Sequence, residues 1–283
     1  MTSVIIPAYN EAAVIGRTLE SVLASVGDSP VEVVVVCNAC DDDTAEIARR
    51  YEPKVTVIET PRCGKCNAIN LGEQHAKTFP RIYLDADITV SSTFVADLEK
   101  ALGESSVDAA WPGVRYELSE SSWPVAAFYR VWTAMPYNRP GRIGVGAYAV
   151  SESGRSKFGQ FPDIISDDGY VRGLFEADKR RIVESCHTVV LPPKDLRSLI
   201  AVRVRSRMGV YGLRQSHPEV MNRHRSRGQF RLADYLACLH PAVLVSAPIY
   251  AVVTLLTKYK ARRRLGAQQP KLNWDRDLSQ RVV

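Results

Sequence analysis

The stretch Ile82-Tyr83-Leu84-Asp85-Ala86-Asp87 ends an apolar run in two carboxylates one residue apart. Such a pair can hold a hard divalent cation through oxygen, and that cation can neutralise a diphosphate. Three earlier apolar runs also end in residues able to meet a ligand. Pro7-Ala8-Tyr9-Asn10-Glu11 closes the first, and Cys37-Asn38-Ala39-Cys40-Asp41-Asp42-Asp43-Thr44 closes the second. Gly64-Lys65-Cys66-Asn67-Ala68-Ile69-Asn70 follows the third and brings a cation to the set. Further along, Ser166-Asp167-Asp168-Gly169-Tyr170 offers a second carboxylate pair. By itself it reads as a solvated acidic loop; beside the upstream residues it reads as a place for general-base chemistry.

These residues need elements to hold them. Ser3 to Pro7 reads as a buried strand, with Asn10 as N-cap of the helix that follows. Ile15, Leu19, Val22, Leu23 and Val26 then fall on one helical face. Val31 to Val36 is a continuous β-branched run, as expected of a strand covered on both faces. Thr44 to Tyr51 predicts a short helix, Val55 to Ile58 a strand, Asn67 to Lys77 a helix and Arg81 to Leu84 a strand. Alternation at this spacing means βαβ units and a mainly parallel sheet flanked by helices, in an α/β fold. Ligands of such sheets bind beyond the carboxyl ends of the strands, so all four ends should face one crevice. From Ser92 the alternation fades into a Pro-broken region rich in Trp and Tyr. Gly144 to Val150 reads there as a Gly-rich turn entering a strand, and Phe161 to Tyr170 as a polar, acidic loop.

A chain of 283 residues can bury a sizeable core, and 46 % hydrophobic with 24 % charged residues is an ordinary globular composition. The net charge of +6 is unevenly spread. From Lys194 onward 18 Lys/Arg face 5 Asp/Glu, whereas the preceding part holds 19 against 26. An acidic body with a basic tail argues against nucleic acid as a partner and for a tail that meets an anionic membrane surface. Leu236 to Thr257 contains no charged side chain and is followed by Lys258-Tyr259-Lys260-Ala261-Arg262-Arg263-Arg264. At ~1.5 Å per residue this segment is long enough to cross a ~30 Å hydrocarbon core. His240, Pro241 and Pro248 interrupt it, so an interfacial helix or a buried core helix stays open. Met1-Thr2-Ser3 carries no basic n-region and Val4 to Pro7 is too short for an h-region, so the expected location is the cytoplasmic face of the cell membrane.

Taken in order, the four strand-end elements resemble the family 2 inverting glycosyltransferases, over roughly residues 3 to 210. The resemblance implies a GT-A-like, Rossmann-related fold with a basic and hydrophobic membrane-associating C-terminal tail. Residues 1–90 would form the nucleotide-sugar-binding half, 91–195 the half with acceptor site and catalytic base, and 196–283 a basic region with the hydrophobic segment 236–257. Pro7, Ala8, Tyr9 and Glu11 would line the base and ribose pocket. Asn38 takes the place of an acidic residue that usually meets the uracil edge, and as an amide offers both donor and acceptor. Lys65 would sit near the diphosphate or base, and Asp85, Ala86 and Asp87 near the ribose and diphosphate. Asp87, with Asp85, would hold Mg²⁺ or Mn²⁺. Asp168 would be the base, with Asp167 in place of the family's Glu. Processive members carry Gln-x-x-Arg-Trp after the base. Here Arg203-Val204-Arg205-Ser206-Arg207-Met208-Gly209 supplies Arg but no Trp. That favours transfer of a single sugar, from a donor the resemblance makes UDP-linked, to a lipid or saccharide acceptor. Arg205 or Arg207 would clamp the diphosphate; a basic surface facing anionic lipid is the other reading of these arginines.

Four further readings follow from the residues. Trp111, Trp123 and Trp132 can stack on a sugar ring or serve as core and interface packing. Cys37-x-x-Cys40 and Cys63-x-x-Cys66 can make a four-cysteine zinc scaffold, a disulfide or a redox dithiol, or be small fillers. A membrane-tethered, non-catalytic nucleotide-sugar-binding module would keep the fold without the chemistry. A nicotinamide-dependent oxidoreductase requires Gly-x-Gly-x-x-Gly after the first strand, and Pro7 to Gly16 holds one Gly.

Overall fold

The computed structural model describes residues 1–26, 30–136, 146–224 and 232–266. An eight-stranded sheet runs through it in the order β3-β2-β1-β4-β7-β6-β8-β5. The first four elements are β1 (Thr2–Ala8), β2 (Val31–Asn38), β3 (Val55–Thr60) and β4 (Arg81–Leu84). They are mutually parallel where they pair, so their carboxyl ends share one edge as the alternation predicts. Short β5 (Thr89–Val90), β6 (Ala109–Tyr116), β7 (Ala147–Val150) and β8 (Arg180–Val190) extend the sheet. β7 is antiparallel to both β4 and β6, which makes the whole sheet mixed.

Strand parity divides the core into two layers. Val4, Ile6 and Ala8 of β1, with Val33, Val35 and Cys37 of β2, face α1 (Ile15–Ala24), α2 (Thr44–Arg49) and α4 (Phe94–Leu102). Ile5, Val34, Val36 and Tyr83 face the opposite layer, which includes α3 (Lys65–His75) and α7 (Asp167–Leu174). The β-branched run of β2 is buried because it is covered on both sides, each large aliphatic side chain contributing ~1.5–3 kcal/mol.

Several boundaries differ from the sequence expectation. Asn10 is not the N-cap of α1: the helix starts at Ile15 after a turn in which the Glu11 carbonyl accepts from Val14 and Ile15 N–H. Asn10 takes a left-handed φ of 51° and its Oδ1 accepts from Asp41 N–H at 2.7 Å, tying β1 to the β2–α2 loop. α3 begins at Lys65, two residues early, because Gly64 supplies the φ of 135° that turns the chain into it. The acidic loop is shorter than expected, since Asp167 and Asp168 form the first turn of α7, where carboxylates meet the positive end of the helix dipole.

The C-terminal part adds a helical layer. α5 (Trp123–Ala134) and α8 (Leu196–Ser216) pack with α10 (Pro241–Gly266) around Val125, Phe128, Tyr129, Leu199 and Val253. Between them in sequence come α6 (Glu152–Arg155), before the base segment, and α9 (Pro218–His224), after α8. The uncharged segment is not one helix: a 3-10 turn covers Leu232–Leu239, and His240-Pro241 separates it from α10. The expected turn at Gly144-Val145 lies outside the described residues.

Candidate active site

The carboxyl ends of β1, β2 and β4 and the start of α3 meet the N-terminus of α7. Lys65, the first residue of α3, joins them: its Nζ lies 2.7 Å from Asp85 Oδ1 and 2.8 Å from Asp167 Oδ1. Tyr148 of β7 donates to the other Asp167 oxygen at 2.9 Å. Asp167 is therefore held on both oxygens, with its side chain 2 % exposed. Burial works to lower the Lys65 pKa, but Asp167 and then Asp85 outweigh it and hold the ammonium charged.

Asp85 and Asp168 are the two less tightly satisfied carboxylates. Burial pushes Asp85 up to about 6; Lys65 opposes the shift, and Asp87 and Asp167 reinforce it. Burial likewise raises Asp168, and the charge of Asp167 beside it adds to the effect. Asp168 accepts a hydrogen bond from Ser166 Oγ at 3.0 Å. One carboxylate fixed by Lys65 and Tyr148 beside a neighbour raised in pKa is an arrangement suited to splitting structural and proton-accepting duties.

The backbone around Asp85 is fixed from two sides. Its N–H donates to the Gly146 carbonyl at 2.7 Å. Gly146 has φ 74°, and a Cβ there would lie 2.5 Å from Ile88 Cγ1, so a side chain at this position would disturb the Asp85 loop. From α1, Thr18 Oγ1 donates to the Ala86 carbonyl at 2.8 Å and Arg17 Nη2 to the Asp87 carbonyl at 3.4 Å. Gly146, Tyr148, Ser166, Arg17 and Thr18 were not assigned site roles by sequence reasoning. Gly146 and Tyr148 fall in the Gly-rich turn and strand read over Gly144 to Val150, and Ser166 opens the second carboxylate motif; Arg17 and Thr18 carried no signal.

Asn38 has a different duty from the base reading expected of it. Its Nδ2 donates to the Ala8 carbonyl at 2.6 Å, and its Oδ1 accepts from Gly64 N–H at 3.1 Å. At 1 % exposure the amide is spent on backbone and staples three loops of the pocket. Pro7 and Ala8 are buried and present backbone only, while Tyr9 is half-buried beside them. Glu11 is 8 % exposed, and its N–H donates to Thr44 Oγ1 at 2.7 Å.

Arg207 is turned away from these carboxylates, its Nε donating to Thr257 Oγ1 of α10 at 2.9 Å. Arg205 shares its face of α8 with Gly209, four residues on, where a Cβ would meet Ile165 and Ser166 at 3.2–3.3 Å. Of the two arginines, Arg205 is the one on the face toward the Asp168 segment.

Trp111 cannot stack on a sugar, because it is a core residue at 1 % exposure. Trp132 packs on Phe128, and the Arg203 guanidinium lies 3.9 Å from its ring centroid. The four-cysteine zinc scaffold fails on geometry. Cys37 and Cys40 sit in the α1/α2 layer, Cys66 sits in the α3/α7 layer across the sheet, and Cys63 is exposed. Among the described residues no group of three or more His, Cys, Asp or Glu side chains is arranged to hold a metal. A smaller donor set still fits a hard cation. Asp85 is 37 % exposed and Asp87 is two residues on, and Mg²⁺-type sites commonly use one or two carboxylates completed by substrate phosphates.

A parallel half-sheet ending in Asp-x-Asp, joined through a lysine to a second carboxylate pair at a helix start, defines a GT-A-type glycosyltransferase fold. The chain belongs to glycosyl transferase family 2, whose signature matches residues 3–144. Among curated relatives it is 28 % identical over 191 residues to the 4,4'-diaponeurosporenoate glycosyltransferase of Staphylococcus aureus, covering 64 % of this chain and 48 % of that protein. The chain thus spans about half the length of the curated relatives it matches. In fold it is similar to the mannosyltransferase PcManGT from Pyrobaculum calidifontis, solved with GDP-Man and Mn²⁺. The TM-score is 0.60 at 24 % identity, covering 97 % of this chain and 82 % of that one. It is also similar to glucosyl-3-phosphoglycerate synthase from Mycobacterium tuberculosis, solved with Mn²⁺, UDP and glucosyl-3-phosphoglycerate. There the TM-score is 0.54 at 20 % identity, covering 76 % of this chain and 79 % of that one.

Proposed function

We propose that this protein is an inverting glycosyltransferase that moves one sugar from a nucleotide sugar, UDP-linked by preference, to a lipid or saccharide acceptor at the cytoplasmic membrane face. The observation that carries this reading is the Lys65 bridge, which brings Asp85 at the end of β4 within one side chain of the Asp167-Asp168 pair. Residues 1–90 would hold the donor, 91–195 the acceptor and base, and 196–283 the membrane contact. Tyr9 and Glu11 would flank the base and ribose, with Pro7, Ala8 and Asn38 shaping the pocket from behind. Asp87 and Asp85 would hold Mg²⁺ or Mn²⁺, which supplies charge neutralisation for the diphosphate. Lys65 and Arg205 would add positive charge near the phosphates.

In the transfer itself Asp168 takes the proton of the acceptor hydroxyl. The freed oxygen lone pair forms a bond to the anomeric carbon from the face opposite the diphosphate. The bond from that carbon to the phosphate oxygen breaks, and its electron pair leaves with the nucleoside diphosphate. One displacement of this kind inverts the anomeric configuration. Asp167, held by Lys65 and Tyr148, is the positioning residue for Asp168.

Calorimetric titration with UDP, GDP and TDP, each with and without Mn²⁺, tests the donor half. One nucleotide should bind with Mn²⁺-dependent affinity, and Asp87→Ala should remove that dependence; binding by none of the three would break the reading. The same titration has a pH signature. Because Asp85 titrates near 6, it is protonated in the folded protein below that pH and offers no anionic oxygen. The Mn²⁺-dependent affinity should therefore weaken as pH falls through about 6, by up to about tenfold per pH unit for one linked proton. A flat profile from neutral pH to well below that value would remove Asp85 from the metal site.

A further inference from the structure

Among the described residues α10 is the one helix long and apolar enough to cross a membrane. Its packing opposes that placement. Val243, Ser246, Val253, Thr257 and Ala261 are buried, and their spacing makes a single stripe along the helix. The stripe rests on α5 and α8. Tyr250 stacks on Phe128 with ring centroids 5.2 Å apart, Arg130 Nη1 donates to Ser246 Oγ at 3.1 Å, and Arg207 donates to Thr257. α8 carries Arg197, Arg203, Arg205, Arg207 and Arg214, so it cannot accompany α10 into hydrocarbon. A spanning α10 would have to abandon every one of these contacts.

Among the described residues the opposite stripe has no cover. Leu244, Val245, Val252 and Leu255 are 54–72 % exposed, and Tyr259 continues the row. Tyr235, Leu236 and Leu239 of the preceding 3-10 turn are exposed as well. Residues 244 to 255 alone run about 17 Å along the helix. At the far end Lys258, Lys260, Arg262 and Arg263 are exposed. α5 runs antiparallel to α10, since Phe128 meets Tyr250 and Arg130 meets Ser246. That direction brings Trp123, 63 % exposed at the start of α5, toward the cationic end. A long uncharged strip ending in a basic cluster and an exposed Trp matches one partner, a bilayer with anionic headgroups.

We infer that α10 is an in-plane docking helix: its outer face enters the headgroup–acyl boundary of an anionic bilayer while its inner face stays on α5 and α8. The inference rests on the membrane part of the proposed function and supplies its geometry. Gly209 of α8 packs against Ile165 and Ser166, so α8 and α10, two helix diameters or about 20 Å, lie between the Asp168 segment and the docking face.

Depth-dependent quenching on the full chain tests the orientation. Val245→Cys, Val252→Cys and Tyr259→Cys, each carrying a polarity-sensitive dye, are mixed with phosphatidylcholine vesicles with and without phosphatidylglycerol. Docking in the plane predicts one shallow depth for all three, only with phosphatidylglycerol. A span predicts depths differing by up to about 21 Å across these 14 residues and overturns the inference. Flotation of the triple variant Leu244→Glu, Val252→Glu, Leu255→Glu should fall at least about tenfold. Its nucleotide affinity should not change, which separates failure of docking from failure of the donor site. Absence of flotation by the unsubstituted chain also overturns the inference, as does a stable dimer in solution that Leu255→Glu dissolves.

Discussion

Asp168→Asn should lower the transfer rate by about 10²- to 10⁴-fold, the usual worth of a general base, while nucleotide affinity stays within about twofold. The asparagine keeps the size of the side chain and can still accept the Ser166 hydrogen bond. It cannot take a proton, so loss should fall on kcat and not on binding. A pH–rate profile adds a readout that a packing defect would not give. The pKa of Asp168 is raised by burial and by Asp167, so the rate of the unsubstituted enzyme should fall as acid protonates it, and the variant's residual rate should lose that limb. Asp167→Asn is the informative contrast. It removes the anion that pins Lys65 and Tyr148, so it should cost stability as well as rate. Full activity in Asp168→Asn, or equal loss of nucleotide binding, would end the assignment of Asp168 as base.

The parts of this site that were legible in the sequence are those fixed by local pattern. Val31 to Val36 could only be a doubly covered strand, and the alternation around it forced four carboxyl ends to one edge. Asp85 and Asp87 follow at once from the end of β4. Roles set by tertiary contact were not legible. Lys65 was expected near a phosphate or base, yet its place between Asp85 and Asp167 depends on α7 folding back onto α3. Asn38 carries the right groups to read a base, but the β1 and α3 loops reach those groups first. The paired Cys-x-x-Cys spacing suggested four converging sulfurs; Cys37 points from β2 into the α1/α2 layer, whereas Cys66 lies on α3 across the sheet. Hydrophobicity alone could not tell a core Trp111 from a sugar platform, nor a membrane span from a helix with one buried and one exposed apolar stripe. In α10 the difference lies in Ser246 and Thr257, small polar residues whose partners are arginines distant in sequence.

The largest stability effect should come from Lys65→Met. Removing one partner of a buried ion pair leaves the other charge uncompensated, at a cost of roughly 3–5 kcal/mol. Here one ammonium serves two carboxylates, but they do not weigh equally. Asp85 is 37 % exposed and water takes over part of its charge, whereas Asp167 is 2 % exposed and keeps the Tyr148 hydroxyl. The lower end, about 3 kcal/mol, is therefore expected at neutral pH, or a fall in Tm of roughly 6–12 °C for a chain near this size. The sign of the pH dependence distinguishes electrostatics from lost packing. Without the lysine, nothing from its charge opposes the burial that already raises Asp85, so the folded-state pKa of that carboxyl lies further above the unfolded value. A group shifted in that direction favours the fold at low pH and loses that contribution as pH rises through the folded pKa. The deficit of Lys65→Met should therefore shrink as pH is lowered from neutral toward about 5, as the stranded Asp85 carboxyl takes up its proton. Thermal denaturation across that range is the measurement, with Lys65→Arg as a control that keeps the charge and should lose less. A deficit constant with pH would mean that Lys65 acts by packing its aliphatic stem, and the bridge would then no longer hold the two carboxylate pairs together.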